Sequence, residues 1–423
     1  MKKFLSKTHE IYLMFIAMYV LFVILAFIFN RPAELLEGFR NIMVSRSVLI
    51  TDYIAEGGIG ATLINVSLVG GCSLIMLMRS NIKPNGSTMM ALWLTTGFAF
   101  FGKNIFNMLP ITFGVWIYSK VQKEPFIRYT LVALLSATIS PAVSEIAFLD
   151  IGNTAQNIMM GVLLGIFVGF IFPMVAAFTV RFHEGYNLYN MGFAGGLISV
   201  FIVSILQSIG IKITPKESWS SGNNLSLSIL LFTISLFLLI YGFVRSGREK
   251  ALSDLVLMTR HSGRLATDYY MMFRRSAYVN MGLLGLFSTS AVLILDGDIN
   301  GPTISGIFCI IGFGCFGKNI YNIVPVMVGA IISTYVNQWD PTSPLNMLAV
   351  LFCTALAPIA GQFGWAWGAL AGFLHVNFAI HVGHLNSGLN LYNNGFGATF
   401  IAMILIPIIT GLKRNPRNLE EKL

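Results

Sequence analysis

The stretch FGKNIFNMLP, residues 101–110, returns almost unchanged as FGKNIYNIVP at residues 316–325, about half a chain length later. Each copy places a glycine, a lysine and two asparagines between apolar runs. Such groups are costly inside a bilayer, so their repetition predicts a functional site. The flanking runs, within 87–119 and 302–335, are too short to form two full spans each. That length is typical of broken or re-entrant half-helices.

The composition indicates a membrane protein. Hydrophobic residues make up 55% of the 423 residues, charged residues only 11%, and mean hydropathy is +0.74, whereas a soluble domain carries about 25% charge. The net charge of +9 lies in short loops beside apolar runs, so it predicts membrane topology and a lipid bilayer as partner, with no nucleic acid. The four cysteines lack the spacing of metal ligands, and we predict neither a metal site nor a cofactor.

Further matches extend the repeat over both halves: Thr51-Asp52-Tyr53 with Thr267-Asp268-Tyr269, Asn65 with Asn280, Pro141 with Pro358, and 185–196 with 388–399. These ordered matches predict an internal duplication. We expect an all-α polytopic membrane protein with about seven hydrophobic segments in each half. The predicted organisation is a first transmembrane repeat at 1–207, a polar linker at 208–224, a second repeat at 225–412 and a basic cytoplasmic tail at 413–423.

The positive charges predict opposite orientations for the two halves. If the N-terminus is cytoplasmic and successive segments alternate sides, most of the 27 lysines and arginines face the cytoplasm, as the positive-inside rule requires. The exceptions are Arg31, Arg40, Arg46, Lys103, Lys212 and Lys216. Because each half has an odd number of segments, the two halves become inverted repeats. Both termini are then cytoplasmic, in a bacterial-type plasma membrane.

A shorter pattern, Asn, Ile or Leu, an aromatic residue and Asn, occurs four times. Two asparagines three positions apart share a helix face and offer both donors and acceptors. Next to a glycine, each pair is expected at a helix start or break, where it either caps free N–H groups or coordinates a solute. The candidate substrate-binding asparagines are Asn104, Asn107, Asn187, Asn190, Asn319, Asn322, Asn390 and Asn393.

Lys103 and Lys318 complete the candidate substrate-binding set. Each lies in the break between two short apolar runs, and the predicted inversion puts them on opposite sides of the bilayer. A cation at this place, aided by the positive N-termini of half-helices, would attract an anionic solute or repel cations. The alternative is a lysine whose ammonium group reaches the membrane interface.

Glu145 and His375 are candidates for proton coupling, because ionisable groups near the membrane interior commonly carry protons. For Glu145 the alternative is a wet loop edge. His375 shares its segment with His381 and His384, where satisfied polar contacts or a proton relay are favoured over zinc because further ligands are missing. An intramembrane enzyme or sensor using these groups is the alternative function. Common phosphate-loop and hydrolase motifs are absent from the sequence, and we predict no catalytic residue. Asp52 and Asp268 are predicted to be interfacial helix caps.

As a whole, the chain resembles an uncharacterised family of bacterial multi-pass membrane proteins that carry a domain of unknown function. More remotely, it is similar to urea transporters, through residues 103–114 and 318–329 and the segments SATISPAVSEI and CTALAPIAGQF. This second resemblance implies inverted repeats. The lysine in each break and the missing Leu-Pro-x-x-Thr-x-Pro-Phe signature depart from that family, so urea itself is not implied. We expect transport of a small polar or anionic solute through a site between the repeats, by a secondary transporter or channel that could form a homo-oligomer.

Overall fold

A computed structural model describes residues 9–149, 152–213, 217–265, 267–337 and 339–413. The N-terminal lysines, Asp150 and most of the basic tail lie outside these ranges. The first half contains α1 (Glu10–Phe29), α2 (Pro32–Val44), α3 (Tyr53–Arg79), α4 (Gly86–Phe98), α5 (Ile105–Val121), α6 (Thr130–Ser136), α7 (Ser140–Ala147), α8 (Thr154–His183) and α9 (Asn190–Ser208).

The second half contains α10 (Asn224–Ser246), α11 (Arg248–Thr259), α12 (Tyr269–Phe273), α13 (Ser276–Ile294), α14 (Gly301–Phe313), α15 (Ile320–Val336), α16 (Pro344–Phe352), α17 (Ala357–Phe363), α18 (Trp365–Val382) and α19 (Asn393–Lys413). The order of elements is the same in both halves, with α3 corresponding to α12 and α13 together. Helices α4 and α14 both have 13 residues, and α5 and α15 both have 17.

The described residues form helices and short 3-10 turns without any strand. Nine segments in these ranges are long and apolar enough to cross a membrane: Glu10–Phe29, Tyr53–Arg79, Thr130–Ala147, Thr154–His183, Asn190–Ser208, Asn224–Ser246, Ser276–Ile294, Pro344–Phe363 and Asn393–Leu412. Their number and hydropathy identify an all-helical integral membrane protein. The predicted all-α membrane architecture is confirmed at this level.

Both FGKN stretches lie where a helix ends and the next begins. Helix α4 ends at Phe98 and α5 begins at Ile105, while α14 ends at Phe313 and α15 begins at Ile320. Gly102 has φ +71° and Gly317 has φ +108°, which is a left-handed backbone conformation that other residues rarely adopt. The glycine before each lysine therefore makes the sharp turn of the break possible.

Closely packed small residues fix the second helix of each broken pair. A Cβ atom at Gly114, Gly169, Gly329 or Gly372 would lie 1.8–2.1 Å from a backbone oxygen of the facing helix. These glycines join α5 to α8 in the first half and α15 to α18 in the second. Small residues at helix contacts let backbones approach each other in membrane proteins. The helices that follow the lysines are therefore tightly held.

Helices α4 and α14 lie side by side and run antiparallel. A Cβ atom at Gly86, where α4 begins, would lie 2.6 Å from the Cys315 oxygen just beyond the end of α14. Likewise, a Cβ atom at Gly301, where α14 begins, would lie 2.5 Å from the Phe100 oxygen beyond the end of α4. Since 13 helical residues span about 20 Å, the two breaks lie at opposite ends of this helix pair.

Equivalent residues of the two halves meet each other at three places. Trp93 contacts Phe308 with ring centroids 5.0 Å apart, midway along α4 and α14. Tyr189 stacks on Tyr392 at 4.3 Å, and Phe193 stacks on Phe396 at 5.8 Å where α9 packs against α19. These contacts place the interface between the two halves at the centre of the described structure.

Candidate functional site

The centre of the molecule is assembled from broken helices of both halves. Its parts are the two FGKN breaks, the 3-10 turns Ala137–Ile139 and Cys353–Leu356, and the segments 187–190 and 390–393. Backbone hydrogen bonds cross between halves, from Leu188 N to Ala355 O at 3.0 Å and from Leu391 N to Thr138 O at 2.9 Å. We call this region the central site.

The asparagines of the FGKN stretches cap the helices that follow them. The Asn104 and Asn107 side chains each accept a hydrogen bond from the other's backbone N–H, at 3.0 and 2.9 Å. Asn319 and Asn322 do the same at 3.1 and 2.9 Å. Such reciprocal capping satisfies free N–H groups at a helix start. The predicted capping alternative is confirmed for these two pairs, while solute binding by them stays a prediction.

The other two pairs tie the halves together. Asn187 Nδ2 donates to the Gly395 oxygen at 2.8 Å, and Asn390 Nδ2 donates to the Gly192 oxygen at 2.9 Å. Each therefore bonds to the first turn of the helix in the opposite half. The second residues of these pairs contact their own half, where Asn190 meets His183 at 3.0 Å and Asn393 meets Asn386 at 2.5 Å.

Lys103 and Lys318 are buried in protein, with 1% and 0% exposure, so neither ammonium group extends to the surface of the described structure. Lys103 Nζ donates to the Leu134 oxygen at 3.1 Å and lies 3.5 Å from Thr95 Oγ1. Lys318 Nζ donates to the Tyr189 hydroxyl and, at 2.8 Å, to Thr354 Oγ1. Lys103 therefore reaches back along α4 from its break.

Neither buried ammonium group has a carboxylate partner among the described residues. The ion pairs of these ranges join other side chains. A cation removed from water is costly unless an opposite charge compensates it. The central site is therefore electrostatically suited to an anion.

Two tyrosines that sequence reasoning did not single out complete the central site. Tyr189 and Tyr392 are 1% and 2% exposed, and Cys309 Sγ lies 3.1 Å from both hydroxyls. Lys318 Nζ lies 4.5 Å from the ring centroid of Tyr189, a distance typical of a cation–π contact. The sequence signal that could have revealed these tyrosines is the Leu-Tyr pair that lies between two asparagines at 187–190 and again at 390–393.

Glu145 and His375 make separate contacts. The buried Glu145 carboxylate forms an ion pair with the partly exposed Arg46. His375 Nε2 lies 3.0 Å from Asn394 Oδ1. Within the described ranges, no group of three or more His, Cys, Asp and Glu side chains could hold a metal ion. Glu145 and His375 therefore have different partners, and both proton coupling and the alternative of an enzyme or sensor stay predictions.

Asp52 and Asp268 cap helices, as predicted, and each also reaches the opposite half. Asp52 Oδ1 accepts from Ile54 N at 2.9 Å and from Gly301 N at 3.1 Å. Asp268 Oδ1 accepts from Met271 N at 2.8 Å, and both its oxygens accept from Gly86 N. Burial raises the pKa of both carboxyl groups, and the N–H donors oppose that shift. These aspartates fix the starts of α4 and α14 against the other half.

A cavity of about 70 Å³ lies beside the central site. Phe352 lines it together with Leu391, Asn393 and other residues. The Phe352 ring also lies 6.1 Å from Tyr189 and 5.7 Å from Tyr392. This side chain is therefore shared between the cavity wall and the aromatic cluster of the central site.

Comparison with known proteins gives a family but no activity. A family model described as "Protein of unknown function (DUF1576)" matches residues 31–208 and 248–411. No curated protein and no solved structure matches the chain. The matched residues include both FGKN stretches and nearly all of both halves, which confirms the predicted membership of an uncharacterised family. The chain therefore belongs to the family described as DUF1576.

Proposed function

We propose that the protein transports a small polar or anionic solute across the membrane through the central site. The observation that carries this proposal is the pair of buried lysines, Lys103 and Lys318, one in each helix break and neither with a carboxylate partner in the described residues. Polar breaks in membrane helices are tolerated where they line a cavity or a solute path. Broken helices that meet between two repeats are a common form of transporter site.

We further propose that the halves are inverted repeats, with the FGKN breaks forming re-entrant hairpins. The antiparallel pair α4 and α14 supports this, since each helix starts where the other ends. The direct contacts between equivalent residues, such as Tyr189 with Tyr392, support it as well. In this arrangement the N- and C-termini are cytoplasmic and the two breaks approach the midplane from opposite sides.

The closed state of the central site favours a secondary transporter over a permanently open channel. Tyr189 and Tyr392 stack on each other, and both lysines are enclosed by protein. A solute would reach them only after the halves rearrange, as alternating access requires. The cavity beside Phe352 is a space next to the central site from which a solute could enter.

The eight asparagines have two roles in this proposal, positioning of the helices and binding of the solute. Their contacts support a positioning role, because they cap α5 and α15 and link segments 187–190 and 390–393 to the opposite half. Direct solute binding by them requires the second conformation, in which these amides exchange protein partners for solute. Proton coupling through Glu145 or His375, and assembly as a homo-oligomer, belong to the same proposal.

Proteoliposomes test the proposed transport. Stopped-flow light scattering is expected to show faster re-swelling of liposomes that contain the protein than of protein-free liposomes, for at least one solute among nitrate, formate, chloride and urea. Vesicles that contain an unrelated multi-pass membrane protein are the control for leakage. Equal rates in all three preparations for every solute would contradict the proposal.

A further inference from the structure

We propose that the central site binds a small monovalent anion, and that it holds this anion beside Lys318 in preference to Lys103. The inference rests on the proposed function and narrows its solute to one chemical class. It assigns ligand contacts to Tyr189 and Thr354, which are not among the binding residues predicted from the sequence.

The first argument is the unused hydrogen-bonding capacity of Lys318. An ammonium group has three N–H donors. In the described contacts, two of them are taken by the Tyr189 hydroxyl and Thr354 Oγ1. The third donor has no hydrogen-bond partner in the described contacts, where the Phe313 ring centroid lies 4.9 Å from Nζ. This donor and the positive charge of the protonated amine are left for a ligand. Since a single lysine supplies this charge, the ligand that balances it carries one negative charge.

The second argument is the difference between the two lysines. Thr354 corresponds to Ala137 in the first half, and Cys309 corresponds to Leu94. Lys103 instead donates to the Leu134 backbone oxygen at 3.1 Å, which can only accept hydrogen bonds and repels an anion, and its hydroxyl neighbour, Thr95 Oγ1, lies farther away at 3.5 Å. The Tyr189 hydroxyl can turn and donate to an anion. The Thr354 hydroxyl donates to the Leu351 oxygen at 2.7 Å and can turn to an anion by exchanging that bond. The polar surroundings of the second half therefore favour an anion at Lys318.

The third argument concerns size. The cavity next to the aromatic cluster has a volume of about 70 Å³, and about 10–15 Å³ on the same measure holds one water molecule. A solute that passes through this space consists of a few heavy atoms. The walls are largely apolar, with Leu391 and Phe352 among them. An anion that gives up its hydration readily fits such walls better than a strongly hydrated one.

Nitrate and urea provide a matched pair of probes, because both are planar with four heavy atoms and only nitrate is charged. Thermal unfolding of the purified protein in detergent is measured as a function of probe concentration at constant ionic strength, with gluconate as the replacement anion. Nitrate is expected to raise the melting temperature in a saturable manner, since a ligand that binds only the folded state stabilises it. Urea at the same millimolar concentrations is expected to give no increase.

Single-residue variants identify the side chains that bind nitrate. Lys318→Gln is expected to weaken apparent nitrate affinity about tenfold or more, because a hydrogen bond to a charged group is lost. Thr354→Ala installs the residue that the first half has at this place, so it should fold, and a loss of about threefold or more is expected from one weakened contact. Lys103→Gln should weaken binding less than Lys318→Gln. Lys120→Gln, at an exposed lysine, is the matched control without effect.

Three outcomes would overturn the anion assignment: equal stabilisation by nitrate and urea, unchanged nitrate affinity in both Lys318→Gln and Thr354→Ala, or a larger loss in Lys103→Gln than in Lys318→Gln. A failure of the transport proposal gives a different pattern of results from a failure of the anion assignment. If liposomes take up urea but nitrate neither binds nor permeates, the transport proposal stands and the anion site falls. If nitrate binds through Lys318 but no solute crosses the membrane, the anion site stands and transport falls.

Discussion

Replacing Lys318 with methionine is expected to reduce solute uptake into proteoliposomes by about tenfold or more, because a charge-assisted contact contributes about 1.5–3 kcal/mol. Methionine keeps most of the length of the lysine side chain and removes only its charge and donors. Lys318 is fully buried without a carboxylate partner among the described residues. Its removal should therefore leave the free energy of unfolding unchanged or raise it.

Because Lys318→Met is expected to lower uptake without lowering the free energy of unfolding, a loss of uptake cannot be explained by unfolding of the variant. Uptake is compared with that of Lys120→Met, a variant at an exposed lysine near the end of α5, after equal reconstitution has been verified. Melting temperatures of both variants are measured in detergent. A folded Lys318→Met protein with the uptake of the wild type would exclude Lys318 from the transport path.

Replacing Asp52 with alanine is expected to destabilise the protein by several kcal/mol. The buried carboxylate accepts hydrogen bonds from Ile54 N, Gly301 N, Ser220 N and Ser220 Oγ, at 2.5–3.1 Å. Alanine leaves these donors unpaired, and each buried donor without a partner costs about 1–3 kcal/mol. The consequence is loss of the junction between α3 and the start of α14, measured as a lower melting temperature and less monodisperse protein.

Alanine variants of two further aspartates provide a comparison for the loss of stability in Asp52→Ala. Asp268→Ala should cost less, because Asp268 is only partly buried and water can replace the carboxylate near Gly86 and Met271. Asp340→Ala is the control, since the carboxylate of this exposed aspartate accepts from Thr342 of its own loop, from N at 2.9 Å and from Oγ1 at 2.6 Å. If Asp52→Ala were as stable as Asp340→Ala, the cross-half capping would have no energetic importance.

Local sequence signals were sufficient to predict the helix breaks at the two FGKN stretches and the asparagines that cap the following helices. Gly102 and Gly317 mark the positive-φ turns, and Asn104 and Asn319 start the following helices. Each signal depends on residues within a few positions, which is why pattern and spacing located it. The order of elements followed because both halves carry the same signals.

Partners from the opposite half could not be read from the sequence. Lys318 meets Tyr189 across a separation of 129 residues, and Asp52 meets Gly301 across 249. A local rule predicts that Asp52 caps its own helix but says nothing about the start of α14. The stacking of Tyr189 on Tyr392 also depends on how the two halves pack. The repeated motif was therefore visible in the sequence, but the contact between its two tyrosines was not.

The most direct test of the inverted arrangement compares Asn81 and Asp296, which follow α3 and α13 at equivalent positions. Both are exposed and have nearly equal φ angles of +53° and +54°. Asn81→Cys and Asp296→Cys are treated with a membrane-impermeant maleimide on intact cells, with the wild-type protein as the control for its own cysteines. Inverted repeats predict labelling of Asp296→Cys in intact cells and of Asn81→Cys only after permeabilisation. Labelling of both cysteines from the same side of the membrane would contradict the account.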